Sequence, residues 1–147
     1  MQVTMMLADA AQVANGKLFI LGGGWSVTGP EPSPSAIVLK IAMPWDQANK
    51  SHHLVLSLID TDGNPLTASD LAGQQQPFRI EADFEAGRPA GIAPGTPLDV
   101  PVALNLGPIP LIPGGRYVWV LSIDGHTDDD WRLPFTVRPM ATAPTSS

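Results

Sequence analysis

The chain contains no cysteine, which excludes a disulfide framework, a thiolate metal site and a thiol nucleophile together. A chain without thiols suits a reducing compartment, and a cytoplasmic location is the expectation. Basic residues are scarce as well. Eight Lys plus Arg against fourteen Asp plus Glu give a net charge of −6. The basic residues are scattered from Lys17 to Arg138, whereas nucleic-acid binding gathers them along one face to displace counterions. Neither nucleic acid nor an anionic surface is therefore an expected partner. No apolar run approaches the ~20 residues of a membrane span. The opening stretch, Met1 to Asp9, has no basic segment, and its apolar run is cut by Asp9, unlike an export signal. A soluble, non-exported protein with no membrane partner is expected.

What is abundant is breakers: sixteen prolines and fourteen glycines in 147 residues. Interior proline costs a helix about 3 kcal/mol, so long helices are excluded and short strands between turns are favoured. A hydrophobic content of 44% is enough for a core in a chain of this length.

Alternation with a period of two, the mark of a half-buried strand, recurs along the chain. It is cleanest where Phe78, Ile80, Ala82 and Phe84 interleave with Arg79, Glu81, Asp83 and Glu85. Val100, Val102, Leu104 and Leu106 form a second inward row, interrupted by Pro101, which cannot donate to a ladder and predicts an edge strand. Further strands are predicted around Ile37–Met43 and Leu54–Ile59. Two more lie around Val3–Ala8 and Lys17–Leu21, joined through Asn15-Gly16, a pair suited to a type I′ turn. Tyr117, Trp119, Leu121 and Ile123 face Leu133, Phe135 and Val137 across a closing hairpin. The expected fold class is all-β: a single antiparallel β-sandwich, immunoglobulin-like, of about eight strands. The domain is expected over residues 1–139, with residues 140–147 as a disordered tail. Residues 29–35 read as an extended proline-rich connector, residues 87–97 as a surface loop, and residues 67–73 as a single helical turn.

Candidate chemistry is thin. Gly22-Gly23-Gly24-Trp25 follows a strand, but Val27 stands where a dinucleotide loop needs glycine and Gly29-Pro30 blocks the helix, so a kinked strand is expected. His52 and His53 are adjacent and point to opposite faces of a strand, so they cannot chelate one ion there. Either could join His126 and Asp128-Asp129-Asp130 in a metal-dependent hydrolase only if the loops converge. Asp60-Thr61-Asp62-Gly63-Asn64 starts like a calcium loop, yet Ser69 occupies the position of the closing glutamate, and a turn is expected. Ser26, Ser57 and Ser122 lack a nucleophile elbow. Nothing marks a catalytic residue, a metal or a cofactor, and the chain is read as not an enzyme. Among the tryptophans, Trp119 belongs to the core row, while Trp25, Trp45 and Trp131 fall at strand ends. There they either plug the open ends of the sandwich or stack on a ligand.

The blocks Leu7-Ala8-Asp9-Ala10, Asn15 to Trp25, His53 to Gly63, and Pro113 to Gly125 resemble a family of short uncharacterised bacterial proteins, a domain of unknown function. The match covers most of residues 1–139. It implies a compact all-β domain and carries over no functional residue.

The sequence therefore predicts a non-catalytic protein-interaction or assembly module, acting on a protein partner or by self-association. Edge strands offer unpaired backbone groups to a partner, and since Pro101 blunts one edge, pairing would use another. The alternative is a small-ligand or carbohydrate binder. The candidate contact residues are Trp25, Trp45, His126, Asp128, Asp129, Asp130 and Trp131, the last five grouped in an acidic loop expected to reach solvent together.

Overall fold

The computed structural model describes residues 1–69 and 71–141. The expected disordered tail lies, for residues 142–147, outside the described residues; Met140 and Ala141 are exposed and carry no regular structure. Among the described residues eleven strands form: β1 (Gln2–Ala14), β2 (Lys17–Gly23), β3 (Val27–Thr28), β4 (Ser35–Met43), β5 (His52–Asp60), β6 (Thr67–Ser69), β7 (Gln75–Pro77), β8 (Arg79–Phe84), β9 (Leu98–Leu106), β10 (Arg116–Ile123) and β11 (Arg132–Val137). One 3-10 turn, Trp45–Gln47, separates β4 from β5. The all-β expectation holds, but the count of about eight strands is too low. The helical turn expected over residues 67–73 is also wrong, because Thr67–Ser69 is a strand hydrogen-bonded antiparallel to Gln75–Pro77.

The strands make a four-stranded sheet of order β2-β1-β4-β9 and a five-stranded sheet of order β3-β11-β10-β5-β8, with β6-β7 as a separate pair. Pairing is antiparallel except for the short parallel contact of β3 with β11. One buried cluster takes side chains from both large sheets: Leu7, Ile37, Leu39 and Ile41 from the first, and Leu54, Leu56, Leu58, Trp119 and Leu121 from the second. The period-two rows read from the sequence are these inward rows. β9 is an edge strand, as Pro101 requires, and Lys40 of β4 lies opposite that proline.

The closing hairpin is tied down at its base. Ile112 N–H donates to Tyr117 Oη over 2.9 Å, and the Tyr117 ring lies against Phe135 with centroids 5.8 Å apart. A Cβ at Gly115 would come within 2.9 Å of both the Ile112 carbonyl oxygen and the Tyr117 ring, so only glycine fits there. The acidic Asp60–Asn64 segment is a turn, with Asp60 Oδ1 accepting from the Asp62 and Asn64 amides at 2.9 Å each.

β1 changes partners along its length. Residues 2–8 pair with β4, and residues 8–14 pair with β2. Beyond Ala8 the β1–β2 hairpin curls back over the outer face of β4 and β9, enclosing a second, smaller cluster of Ala8, Ala11, Ala36 and Val38, with Met6, Leu18 and Ala103 against it. Small alanine side chains let the strands approach this closely.

Candidate functional site

The histidines are engaged apart from the acidic loop. Asp124 and Gly125 have φ of 51° and 81°, the left-handed pair of a two-residue turn, with His126 bridging back to Ile123. That turn swings the Asp124 carboxylate over the start of β5. His52, only 4% exposed, donates from Nδ1 to Asp124 Oδ2 at 2.6 Å and from Nε2 to the Gln47 carbonyl at 2.9 Å, and its ring stacks on Phe84. Both partners are acceptors, so the arrangement favours the ring with hydrogen on both nitrogens, the imidazolium. Burial works against that charge. The Gln47 carbonyl and the Asp124 carboxylate outweigh it, and the His52 pKa is raised from its ordinary value. Hydrogen bonds from His52 and from the His53 amide hold the Asp124 carboxyl below its ordinary range.

His53 points to the opposite, outer face, as alternation demands. It bonds Asp83 at 2.7 Å, which raises its pKa, and Glu81 in turn takes Arg79 at 2.6 Å. No group of three or more His, Cys, Asp or Glu with metal-holding geometry occurs among the described residues. His52 pairs with Asp124 and His53 with Asp83 and, at 3.8 Å, Glu81, while His126 acts on Asp124 only through space; among the described residues none of these joins Asp128-Asp129-Asp130 in a metal-holding group.

The rim residues separate in the same way. Asp128, Asp129 and Asp130 are exposed, with Asp128 folding the loop by accepting from the Asp130 and Trp131 amides. Trp131 does not reach solvent beside them, being 8% exposed and part of the core cluster. His126 is exposed, its backbone spent on the Ile123 bridge. Trp45 is half-buried, with the Arg88 guanidinium over its ring at 4.7 Å and bonded to its carbonyl at 2.8 Å. Trp25 packs edge-on to Phe135, and its buried Nε1 has no protein partner. The cavity beside it holds about 40 Å³, room for ordered water and too small for a sugar ring. Trp25 and Trp45 line separate cavities, and Trp131 lines neither.

The outstanding surface lies elsewhere, on β2. Phe19, Ile20 and Leu21 are 51%, 39% and 70% exposed, and Val13 of β1 beside them is 43% exposed. Together with Ala10, Ala11 and Gln12, the three β2 residues form a shallow apolar groove. β2 is the terminal strand of its sheet. Its hydrogen-bonding phase follows from the turn. Asn15 and Gly16 have φ of 53° and 70°, a two-residue hairpin loop, so the flanking pair Ala14–Lys17 is hydrogen-bonded. Pairs then alternate, so Gln12–Phe19 and Ala10–Leu21 are bonded while Val13–Leu18 and Ala11–Ile20 are not. Asn105 corroborates the phase from outside: its carboxamide accepts from Ala11 N–H at 3.2 Å and donates to the Ala11 carbonyl at 2.8 Å, so both groups face away from Ile20. The N–H and C=O of Leu18 and Ile20 consequently point off the free edge of the sheet.

The other three edges of the two large sheets are blunted by the devices expected of natural sheets. β9 carries Pro101, β8 alternates Arg79, Glu81 and Asp83, and β3 is two residues long. β2 has neither proline nor charge after Lys17. Its regular run breaks at Gly22, whose φ of 60° leaves the extended region and where a side-chain carbon would collide with the Asp9 carboxylate.

The Asn105 clip makes a direct prediction. Asn105→Ala removes two hydrogen bonds and is expected to cost about 1–3 kcal/mol. Asn105→Asp keeps only the acceptor and sets a carboxylate against the Ala11 carbonyl, so it is expected to lose at least as much. Urea unfolding of the three proteins checks this; an unchanged midpoint in both variants would mean that the hairpin is held by its alanine cluster alone.

Sequence reasoning read β2 as a strand and missed it as a surface. The signal was present: Leu18-Phe19-Ile20-Leu21 is apolar on both faces, whereas a strand with one wet face alternates. A profile described as "Family of unknown function (DUF6941)" matches residues 3–138, in agreement with the resemblance carried by the N-terminal block. No curated protein matches the chain in sequence. Among the described residues, no helix is long and apolar enough to cross a membrane.

Proposed function

Because the chain belongs to the DUF6941 family, whose function is unknown, we propose a role from its own surface: a non-catalytic interaction module that recruits an extended strand onto the free edge of β2. One observation carries this reading. β2 is an unblunted terminal strand whose Leu18 and Ile20 backbone groups face outward between exposed Phe19 and Leu21. Added strands gain main-chain hydrogen bonds along such an edge and bury alternate side chains against it. We read the two large sheets as an immunoglobulin-like sandwich. The Tyr117 hydroxyl accepting from Ile112, five residues upstream, supports that reading, since tyrosine corners of this kind anchor such folds.

A lysine-flanked peptide of alternating Val and Thr is a suitable probe. It is expected to bind the wild type, as read by fluorescence anisotropy of a labelled peptide, and to bind Ile20→Pro about tenfold more weakly or not at all. Proline is tolerated at this position because the Ile20 N–H serves no bond within the chain. Equal binding to both proteins, or none to either, would overturn the edge as a receptor for strands.

A further inference from the structure

We propose that the strand received by β2 is β2 of a second copy of this chain, paired antiparallel about a two-fold axis at Ile20. This partner assignment rests on the strand-recruiting reading above. A closed two-fold contact requires a patch complementary to itself, and an antiparallel strand pair centred on one residue meets that requirement.

The phase of the hairpin turns Leu18 and Ile20 outward, and of the two only Ile20 stands between the exposed Phe19 and Leu21. Its N–H and C=O both leave the sheet, so Ile20 placed opposite Ile20 of the second copy exchanges two backbone hydrogen bonds. The next residues outward then fall into non-bonded pairs, where side chains lie closest. Phe19 stands opposite Leu21 of the second copy, twice over by symmetry, so the two most exposed large apolar side chains of the strand cover one another. Neighbouring registers do worse. Sliding two residues one way sets Leu21 against Lys17, and sliding two residues the other way sets Phe19 against Gly23. The Ile20-centred register is the one that sets Phe19 and Leu21 against each other, and it leaves Leu18 opposite Gly22.

The contact is short, because Gly22 ends the straight run. A few backbone bonds and the paired Phe19 and Leu21 side chains must offset the lost freedom of two molecules, which places the dimer in the micromolar range. The net charge of −6 on each copy opposes association. That repulsion is long-ranged and is screened beyond ~8 Å at physiological ionic strength, so the dimer is expected to tighten with salt.

The absence of native cysteine makes the register testable by cross-linking. In the proposed pairing Phe19 and Leu21 of the two copies have Cα atoms about 4.5 Å apart, within disulfide reach, whereas like positions lie diagonally about 7–8 Å apart, beyond it. Phe19→Cys mixed with Leu21→Cys should form an oxidised heterodimer, while either variant alone should not. Independently, Ile20→Lys and Ile20→Glu should each weaken the dimer roughly tenfold or more by like charge, and their equimolar mixture should restore it. Light scattering across a dilution series of each full chain gives the masses. A wild type that stays monomeric, while the Val/Thr peptide still distinguishes it from Ile20→Pro, overturns the second copy as partner and leaves strand recruitment standing. A dimer that persists in both charged variants, with no mixed cross-link, overturns this register; if the peptide is also silent, strand recruitment at β2 falls with it.

Discussion

Asp124→Ala is expected to lower the unfolding free energy by about 2–3 kcal/mol near pH 5.5, with a markedly smaller loss near pH 8.5. His52 is buried and doubly hydrogen-bonded as an imidazolium, and removing the carboxylate leaves its Nδ1–H without an acceptor and strips the His53 amide of its partner. The figure sits at the low end of what breaking a buried ion pair costs, because the Asp124 side chain keeps 43% of its surface in water and solvent screens the contact. The pH dependence has a definite sign. The folded His52 pKa is raised above its ordinary 6.5, so its contribution is complete below that value and fades as pH rises through the raised one. The folded Asp124 pKa is depressed below its ordinary 3.8, so its contribution is complete above that value and fades as pH falls through the depressed one. The pair therefore stabilises most between these limits, in mildly acidic solution. Asp124→Asn is a useful companion, since its amide satisfies a neutral His52 and is expected to flatten the pH dependence at a smaller cost. Urea unfolding of the three proteins at the two pH values measures this. A wild type and an Asp124→Ala variant separated by the same gap at both would show that His52 is not held charged.

Trp119→Ala is expected to cost about 3–5 kcal/mol, the largest loss from a single truncation in the core. Trp119 is 2% exposed on the central strand β10, with Leu58 and Leu133 as its cross-strand partners and Phe78 at a ring separation of 6.0 Å. The cost of such a truncation depends on how well the site collapses. Here collapse is hindered, since Trp119 already borders the cavity beside Trp25, and deleting the indole enlarges that space. Trp119→Phe keeps a ring in place and is expected to lose well under half as much. Denaturant unfolding followed by far-ultraviolet circular dichroism avoids reliance on the deleted fluorophore. A loss under about 1 kcal/mol for Trp119→Ala would mean that the two sheets repack freely at this point.

Local patterns in the sequence were legible wherever the physics is local. Asn15-Gly16 specified a hairpin turn because left-handed backbone suits those two residues, and the alternation from Phe78 to Phe84 specified a strand because one face is wet. Thr67–Ser69 was misread because a three-residue polar strand has no room to show a period, and it exists only through its pairing with Gln75–Pro77. β3 is two residues long and is a strand only because β11 runs beside it. The site was harder for the same reason. Whether a tryptophan at a strand end reaches solvent depends on what covers it: Arg88 lies over Trp45, forty-three residues away, and the core closes over Trp131. His52 finds its charge partner seventy-two residues away in a turn that the sequence analysis did not single out. The exposure of β2 depends on sheet order, which no stretch of the chain states by itself, although the unalternating run Leu18 to Leu21 hinted that neither face was built for water.

The divided allegiance of β1 also separates two mechanical roles. Its first half is a structural member, locked between β4 and the main core, while its second half belongs to a flap held by one carboxamide and a few alanines. Changes in the outward side chains of β2 therefore reach the folding stability of the sheets only through that thin attachment. If β2 receives the strand proposed above, its outward residues can change with little effect on the sheets beneath, and one such fold could then serve different assemblies.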